Sequence, residues 1–212
     1  MPLFNSFPFI CSQNRQNQGC VTFDSVYAGS RSQQSKEWII LALLQLMEHQ
    51  VYSDISITDI ARRAGLARQT FYRNYQDKDD ILFDFLSRQF AQFRSLWDDQ
   101  DILSEKMFVS LFHTWQDQVP ASLVANIYSY DRKIRQIIFR SLDHFIQALF
   151  RVHLPDEEKQ QQSSLHYYAQ RSFSSTLHVL LIEWTLNRFA QSPEEMGRLT
   201  FQLTSSMRSH LQ

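Results

Sequence analysis

Ile57-Thr58-Asp59-Ile60-Ala61-Arg62-Arg63-Ala64-Gly65-Leu66-Ala67-Arg68-Gln69-Thr70-Phe71-Tyr72-Arg73-Asn74 reads as two short helices with a glycine between them. Ser56 to Asp59 has the Ser-x-x-acid form of a capping box, which marks a helix start. Ile57, Ile60, Ala61 and Ala64 then recur on one helical face. Gly65 stops that helix, because the chain must take positive φ before it turns. A second short helix is expected from about Ala67 to Asn74. Ile57, Ile60, Ala61, Leu66 and Phe71 would pack the pair, leaving Arg68, Gln69, Thr70, Tyr72 and Arg73 to face outward. Two such helices joined by a glycine turn form a helix-turn-helix.

Charge points the same way. Between residues 62 and 78 the cations are Arg62, Arg63, Arg68, Arg73 and Lys78, against the single anion Asp77, in a chain of net charge −1. A local basic patch of this kind is what attraction to phosphate requires. Lys78 sits in the first turn of the next helix, where the dipole favours anions. Dipole and ammonium together suggest a contact to an external phosphate.

Outward from this centre the pattern stays helical. Ser35 is expected to cap a preceding helix carrying Ile39, Ile40, Leu43, Leu44, Leu46 and Met47. Asp77 is expected to cap a following one with Ile81, Leu82, Phe85, Phe90 and Phe93. Further helices are expected over 103–118, 121–128, 130–152 and 165–190. The 130–152 stretch carries Ile134, Ile137, Ile138, Leu142, Phe145, Ile146 and Leu149 at helical spacing. Ser192-Pro193-Glu194-Glu195 is a strong start signal for a last helix striped with Met196, Leu199, Leu203, Met207 and Leu211.

Composition excludes several classes. The chain has 212 residues and four glycines, too few for the glycine-rich phosphate loops and hairpins of other folds. The fold class expected is therefore all-α: an N-terminal three-helix helix-turn-helix domain over 35–82 joined to a C-terminal helical domain over 83–212. Residues 1–34, with the polar run Ser12 to Gln18, read as a disordered leader. Cys11 and Cys20 cannot staple a chain of this size, so a reducing cytoplasm is expected. No uncharged apolar run reaches the length of a membrane span, so no membrane partner is expected. His113, His144, His153, His166 and His178 include no i,i+4 pair, and no metal or other cofactor is expected. Without a Gly-x-Ser-x-Gly elbow or a cysteine beyond residue 20, nucleophilic catalysis is not expected, and the chain is read as not an enzyme.

Residues 39–82 resemble the DNA-binding domain of the tetracycline-repressor (TetR/AcrR) transcriptional regulators. The resemblance rests on Ile57-Thr58-Asp59-Ile60-Ala61, Ala64-Gly65-Leu66, Thr70-Phe71-Tyr72-Arg73-Asn74-Tyr75 and Asp77-Lys78-Asp79-Asp80-Ile81-Leu82, in family order and spacing. Gln50 stands where the family has glycine, Ala67 where it has serine, and Asn74-Tyr75 where it has His-Phe. The resemblance implies a homodimer on a palindromic operator in double-stranded DNA, with each recognition helix in a major groove. It then implies Arg68, Gln69, Thr70 and Arg73 as base readers: arginine pairs bidentately with guanine and glutamine with adenine. Tyr72, Lys78, Thr58 and Asn74 are implied as phosphate contacts, which set register.

The resemblance also implies a C-terminal domain that dimerises and binds a small effector. Phe173, Leu177, Leu180, Trp184, Leu199, Leu203 and Met207 are the expected dimer contacts. Trp115, Tyr128, His144, Tyr168 and His178, which combine apolar bodies with polar tips, are the expected lining of a pocket for an apolar or aromatic effector. The expected function is a ligand-responsive repressor. The alternative is a regulator, activating in its turn, whose C-terminal domain answers to a protein partner; a helical-bundle enzyme is the third class.

Overall fold

The computed structural model describes residues 31–98, 102–151 and 164–211, and among them every regular element is a helix. The leader expected over residues 1–34 lies mostly outside the described residues. Its last four residues do not: α1 runs Arg31–Met47, so Ser35 lies inside the helix rather than at its cap. A one-turn 3-10 helix, Tyr52–Asp54, precedes α2 (Ile57–Arg63), α3 (Arg68–Asn74) and α4 (Lys78–Arg94). The C-terminal body follows with α5 (Glu105–Gln118), α6 (Ala121–Tyr128), α7 (Arg132–Arg151), α8 (Ser164–Leu186), α9 (Pro193–Leu203) and α10 (Ser205–Arg208).

Apart from Ser35, the start signals work as expected. Ser56, Asp77 and Ser192 each close a capping box, with Asp59, Asp80 and Glu195 reaching back to the cap N–H. Each box satisfies two donors that a helix end otherwise leaves open. Ser104 caps α5 through a 3.2 Å bond from the Met107 N–H. Asp131 caps α7, its Oδ1 accepting from the N–H of Lys133 at 2.8 Å and of Ile134 at 3.2 Å.

Helix ends were less legible. Besides Gly65 at φ +68°, the residues Leu103, Tyr130, Arg188 and Phe189 take positive φ without being glycine. Such a residue costs about 1–3 kcal/mol and persists where its surroundings over-determine it. At the end of α8, Phe189 N–H reaches back to Trp184 O at 3.0 Å and its ring meets Trp184 edge-on at 4.8 Å. The Trp184 indole N–H in turn holds Gln191 O at 2.9 Å. The final stripe is not one helix: Thr204 interrupts it between α9 and α10.

All seven apolar residues expected on α7 are buried. α7 packs against α4 on one side and α8 on the other, while α5 packs against α9. The expected boundary at 82/83 falls inside α4, which runs unbroken from the helix-turn-helix into the C-terminal body. Among the described residues no helix is long and apolar enough to cross a membrane.

Candidate nucleic-acid interface

The turn between α2 and α3 follows from its hydrogen bonds. Leu66 N–H reaches Ala61 O at 2.9 Å and Gly65 N–H reaches Arg62 O at 3.2 Å. This paired closure with a left-handed residue at its centre is the Schellman ending, and it swings the chain into α3. Phe71 then anchors α3, fully buried with Ile39, Ile60 and Ile81 in the same core. Its ring meets Tyr72 edge-on at 5.5 Å. Ala67 begins α3 without any side-chain cap.

Burying Phe71 turns the opposite face of α3 outward. Arg68, Gln69, Tyr72 and Arg73 are exposed, and Thr70 is half-buried. Arg68 Nη2 donates to Tyr72 Oη at 3.1 Å, with its guanidinium 5.5 Å from the Tyr72 ring centre. Gln69 and Arg73 have no hydrogen-bond partner among the described residues. Thr58 is exposed on α2.

Two expected phosphate contacts are otherwise engaged. Lys78 Nζ donates to Tyr52 O at 2.7 Å, Ile55 O at 2.8 Å and Ser53 O at 3.0 Å. An ammonium has three donors, so none is left for an outside phosphate. The cation also lies 4.6 Å from the Tyr52 ring centre, and burial draws its pKa down. Lys78 thus clamps the turn before α2, because three carbonyls lie nearer to it than any outside anion. Asn74 is likewise occupied: Nδ2 donates to Thr70 O at 2.8 Å and Oδ1 accepts from Ser32 at 3.1 Å.

The patch is leaner than its charge count. Arg62 pairs with Asp59 at 2.5 Å, and Arg63 Nε donates to Gln45 at 2.8 Å. Behind α3, Tyr75 Oη donates to Asp84 at 2.6 Å, and Arg88 joins Asp84 to Glu37 of α1. Burial and the Asp84 bond push the Tyr75 hydroxyl pKa well above the ordinary range, so it stays a donor.

The turn after α1 carries functional geometry that the sequence reading passed over. Tyr52 is fully buried and its hydroxyl donates to Asp79 at 2.6 Å. Asn126 of α6 and Asp131 meet this turn from the C-terminal body. A signal existed: Asn126 interrupts the apolar run Leu123-Val124-Ala125-Asn126-Ile127.

The expected effector residues do not converge. An apolar cavity of about 40 Å³ lies between α4 and α5, lined by residues including Phe85, Phe90, Phe93, Leu111, Trp115 and Pro120. Of the five expected residues only Trp115 borders it, its indole N–H held by Thr185 at 3.0 Å. Tyr128 lies under the Arg188 guanidinium, and His144 packs edge-on against Phe83 at the surface. Tyr168 is exposed, and His178 donates to Arg135 O at 3.1 Å. Burial keeps the His178 pKa below the ordinary histidine range. Among the described residues no three His, Cys, Asp or Glu side chains are grouped as metal ligands would be.

Three expected dimer contacts are also withdrawn into the protomer. Phe173, Leu177 and Trp184 are buried, with Phe173 against Phe108 and Trp184 against Phe112. Leu199 and Leu203 are exposed, while Leu180 and Met207 are half-buried. The outer face of α8 instead presents Leu165, Tyr168 and Val179 among Ser172 and Ser175.

Comparison with known proteins bears on this geometry. Residues 39–85 match the family model described as bacterial regulatory proteins, tetR family. That match makes residues 39–85 a tetR-family regulatory domain. The putative mycofactocin biosynthesis transcriptional regulator MftR of Mycobacterium tuberculosis is 34% identical over 73 residues, which are 34% of this chain and 37% of that relative's length. The likeness of fold extends beyond the matched domain. A TetR transcriptional regulator from Streptococcus agalactiae superposes with a TM-score of 0.55 at 19% identity, covering 82% of this chain and 94% of that one. Thermus thermophilus FadR, a TetR-family repressor in complex with lauroyl-CoA, gives 0.52 at 19% identity, covering 80% of this chain and 93% of that one.

Proposed function

We propose that this TetR-family chain is a transcriptional regulator that reads a palindromic operator as a homodimer and releases it when an apolar small molecule binds the C-terminal body. The observation that carries the reading is the outer face of α3. Arg68, Gln69, Tyr72 and Arg73 are exposed there on a helix held from behind by Phe71, and Gln69 and Arg73 have no partner among the described residues. Cations and amides freed in this way on a recognition helix suit base edges in a major groove. Thr58 and Tyr72 are the phosphate contacts of this reading.

Selection of bound fragments from a random DNA pool tests it, with an Arg68→Ala/Arg73→Ala variant run at the same salt. The expected result is a two-fold symmetric motif that the variant does not enrich. A folded wild-type protein that enriches no motif overturns the reading.

The effector side rests on the cavity beside Trp115. Its lining is apolar apart from Gln89, Thr114 and Gln118, which suits an acyl or aromatic ligand. At about 40 Å³ it is far smaller than the ~300–1,000 Å³ of ordinary ligand sites, so an effector must displace lining side chains. The exposed apolar faces of α8 and α9, with Leu165, Tyr168, Val179, Leu199 and Leu203, supply the surface for a four-helix contact between two copies.

A further inference from the structure

One buried amide fastens the helix-turn-helix to the rest of the chain. Asn126, 3% exposed in α6, accepts from the Tyr52 N–H at 2.7 Å through Oδ1. Through Nδ2 it donates to Ser122 O at 2.9 Å and to Met47 O at 3.4 Å. Met47 ends α1 and Tyr52 begins the single turn before α2. A side chain of the C-terminal body therefore grips both ends of the segment that joins α1 to the helix pair. A second tie lies beside it: Ser53 Oγ donates to Asp131 Oδ2 at 2.7 Å, while the other oxygen of Asp131 caps α7. On the far side Lys78 holds the carbonyls of the same turn.

The chemistry of these ties differs from packing. Apolar surfaces slide with little change in energy, whereas hydrogen bonds weaken steeply away from their distance and angle. A buried amide with both ends filled is satisfied in one relative placement of its partners. Any other placement leaves the Tyr52 N–H or the Asn126 amide unpaired in a buried site. α6 and the turn are thus held in register by bonds that have a single solution.

We propose that Asn126, seconded by the Ser53–Asp131 bond, is a positioning residue for DNA recognition. It sets the angle at which α3 leaves the C-terminal body, and in a dimer it thereby sets the distance between the two recognition helices. Asn126 is buried and does not meet DNA; it acts through the turn. The inference rests on the dimeric operator-reading function proposed above.

The test uses the full chain and the operator fragment selected by the wild-type protein. Two further fragments carry the same half-sites with the centre lengthened or shortened by one base pair, and a fourth carries one half-site. Binding is titrated at one salt concentration for wild type, Asn126→Leu and Ser53→Ala, with melting curves alongside. In Asn126→Leu the preference for the native spacing is expected to fall by about fivefold or more, while affinity for the single half-site stays at the wild-type level. Ser53→Ala, an exposed position, shifts the preference the same way by less. A loss confined to melting temperature, with wild-type spacing preference, overturns the proposal. If Asn126→Leu does not fold, unchanged spacing preference in Ser53→Ala overturns it instead. A wild-type protein that selects no symmetric fragment removes the operator reading itself, and the joint with it.

Discussion

Lys78 and Arg73 are near neighbours in sequence with opposite duties. Arg73 sits on the outer face of α3 with no partner among the described residues, whereas Lys78 gives all three protons to the carbonyls of Tyr52, Ser53 and Ile55. Replacing Lys78 by Met leaves those carbonyls short of a donor, at a cost of about 1–3 kcal/mol. In a chain of this size that lowers the melting temperature by about 2–4 °C per kcal/mol. The salt dependence of DNA binding by Lys78→Met is expected to match wild type, because no phosphate contact is lost; a slope reduced by about 1 would return Lys78 to the DNA. The outward set Arg68, Gln69, Tyr72 and Arg73 was legible because Phe71 fixes the inner face by periodicity alone. The roles of Lys78 and Asn74 were not, since both depend on carbonyls that the fold brings close: Tyr52 O for one and Thr70 O for the other.

Among the elements, starts were easier to read than ends. A capping box is written in four consecutive residues, so Ser56, Asp77 and Ser192 announce α2, α4 and α9 locally. Endings at Tyr130 and at Arg188-Phe189 take positive φ without glycine, and such positions are imposed by tertiary contacts. Gly197 in α9 shows the same limit from the other side, because its role is a close approach. A Cβ built there would lie 2.4 Å from Val109 Cγ2 and 2.5 Å from Val109 N of α5. Val109 backbone cannot yield as a side-chain tip can, so α9 must move off α5. Gly197→Ala is expected to destabilise the C-terminal body by about 1–3 kcal/mol, read from thermal or urea unfolding. A variant as stable as wild type would show that the α5–α9 contact is loose.

At the scale of the whole molecule, the surface left unburied decides assembly. Phe173 and Trp184 were expected at a dimer contact and serve the protomer core instead; a helical stripe says that a face is buried without saying by what. What remains outside on α8 and α9 is Leu165, Tyr168, Val179, Leu199 and Leu203. A Val179→Glu/Leu203→Glu variant is expected to keep its helical spectrum and to run as a monomer in light scattering. Dimers of unchanged mass would place the contact elsewhere. The outer face of α3 has a different consequence. Among the described residues Gln69 and Arg73 bond to nothing, and neither belongs to the buried core. Substitutions there leave folding nearly untouched, as surface changes away from such ties usually do. In the proposed reading, operator preference can therefore drift by single mutations after gene duplication, on a scaffold that need not be rebuilt.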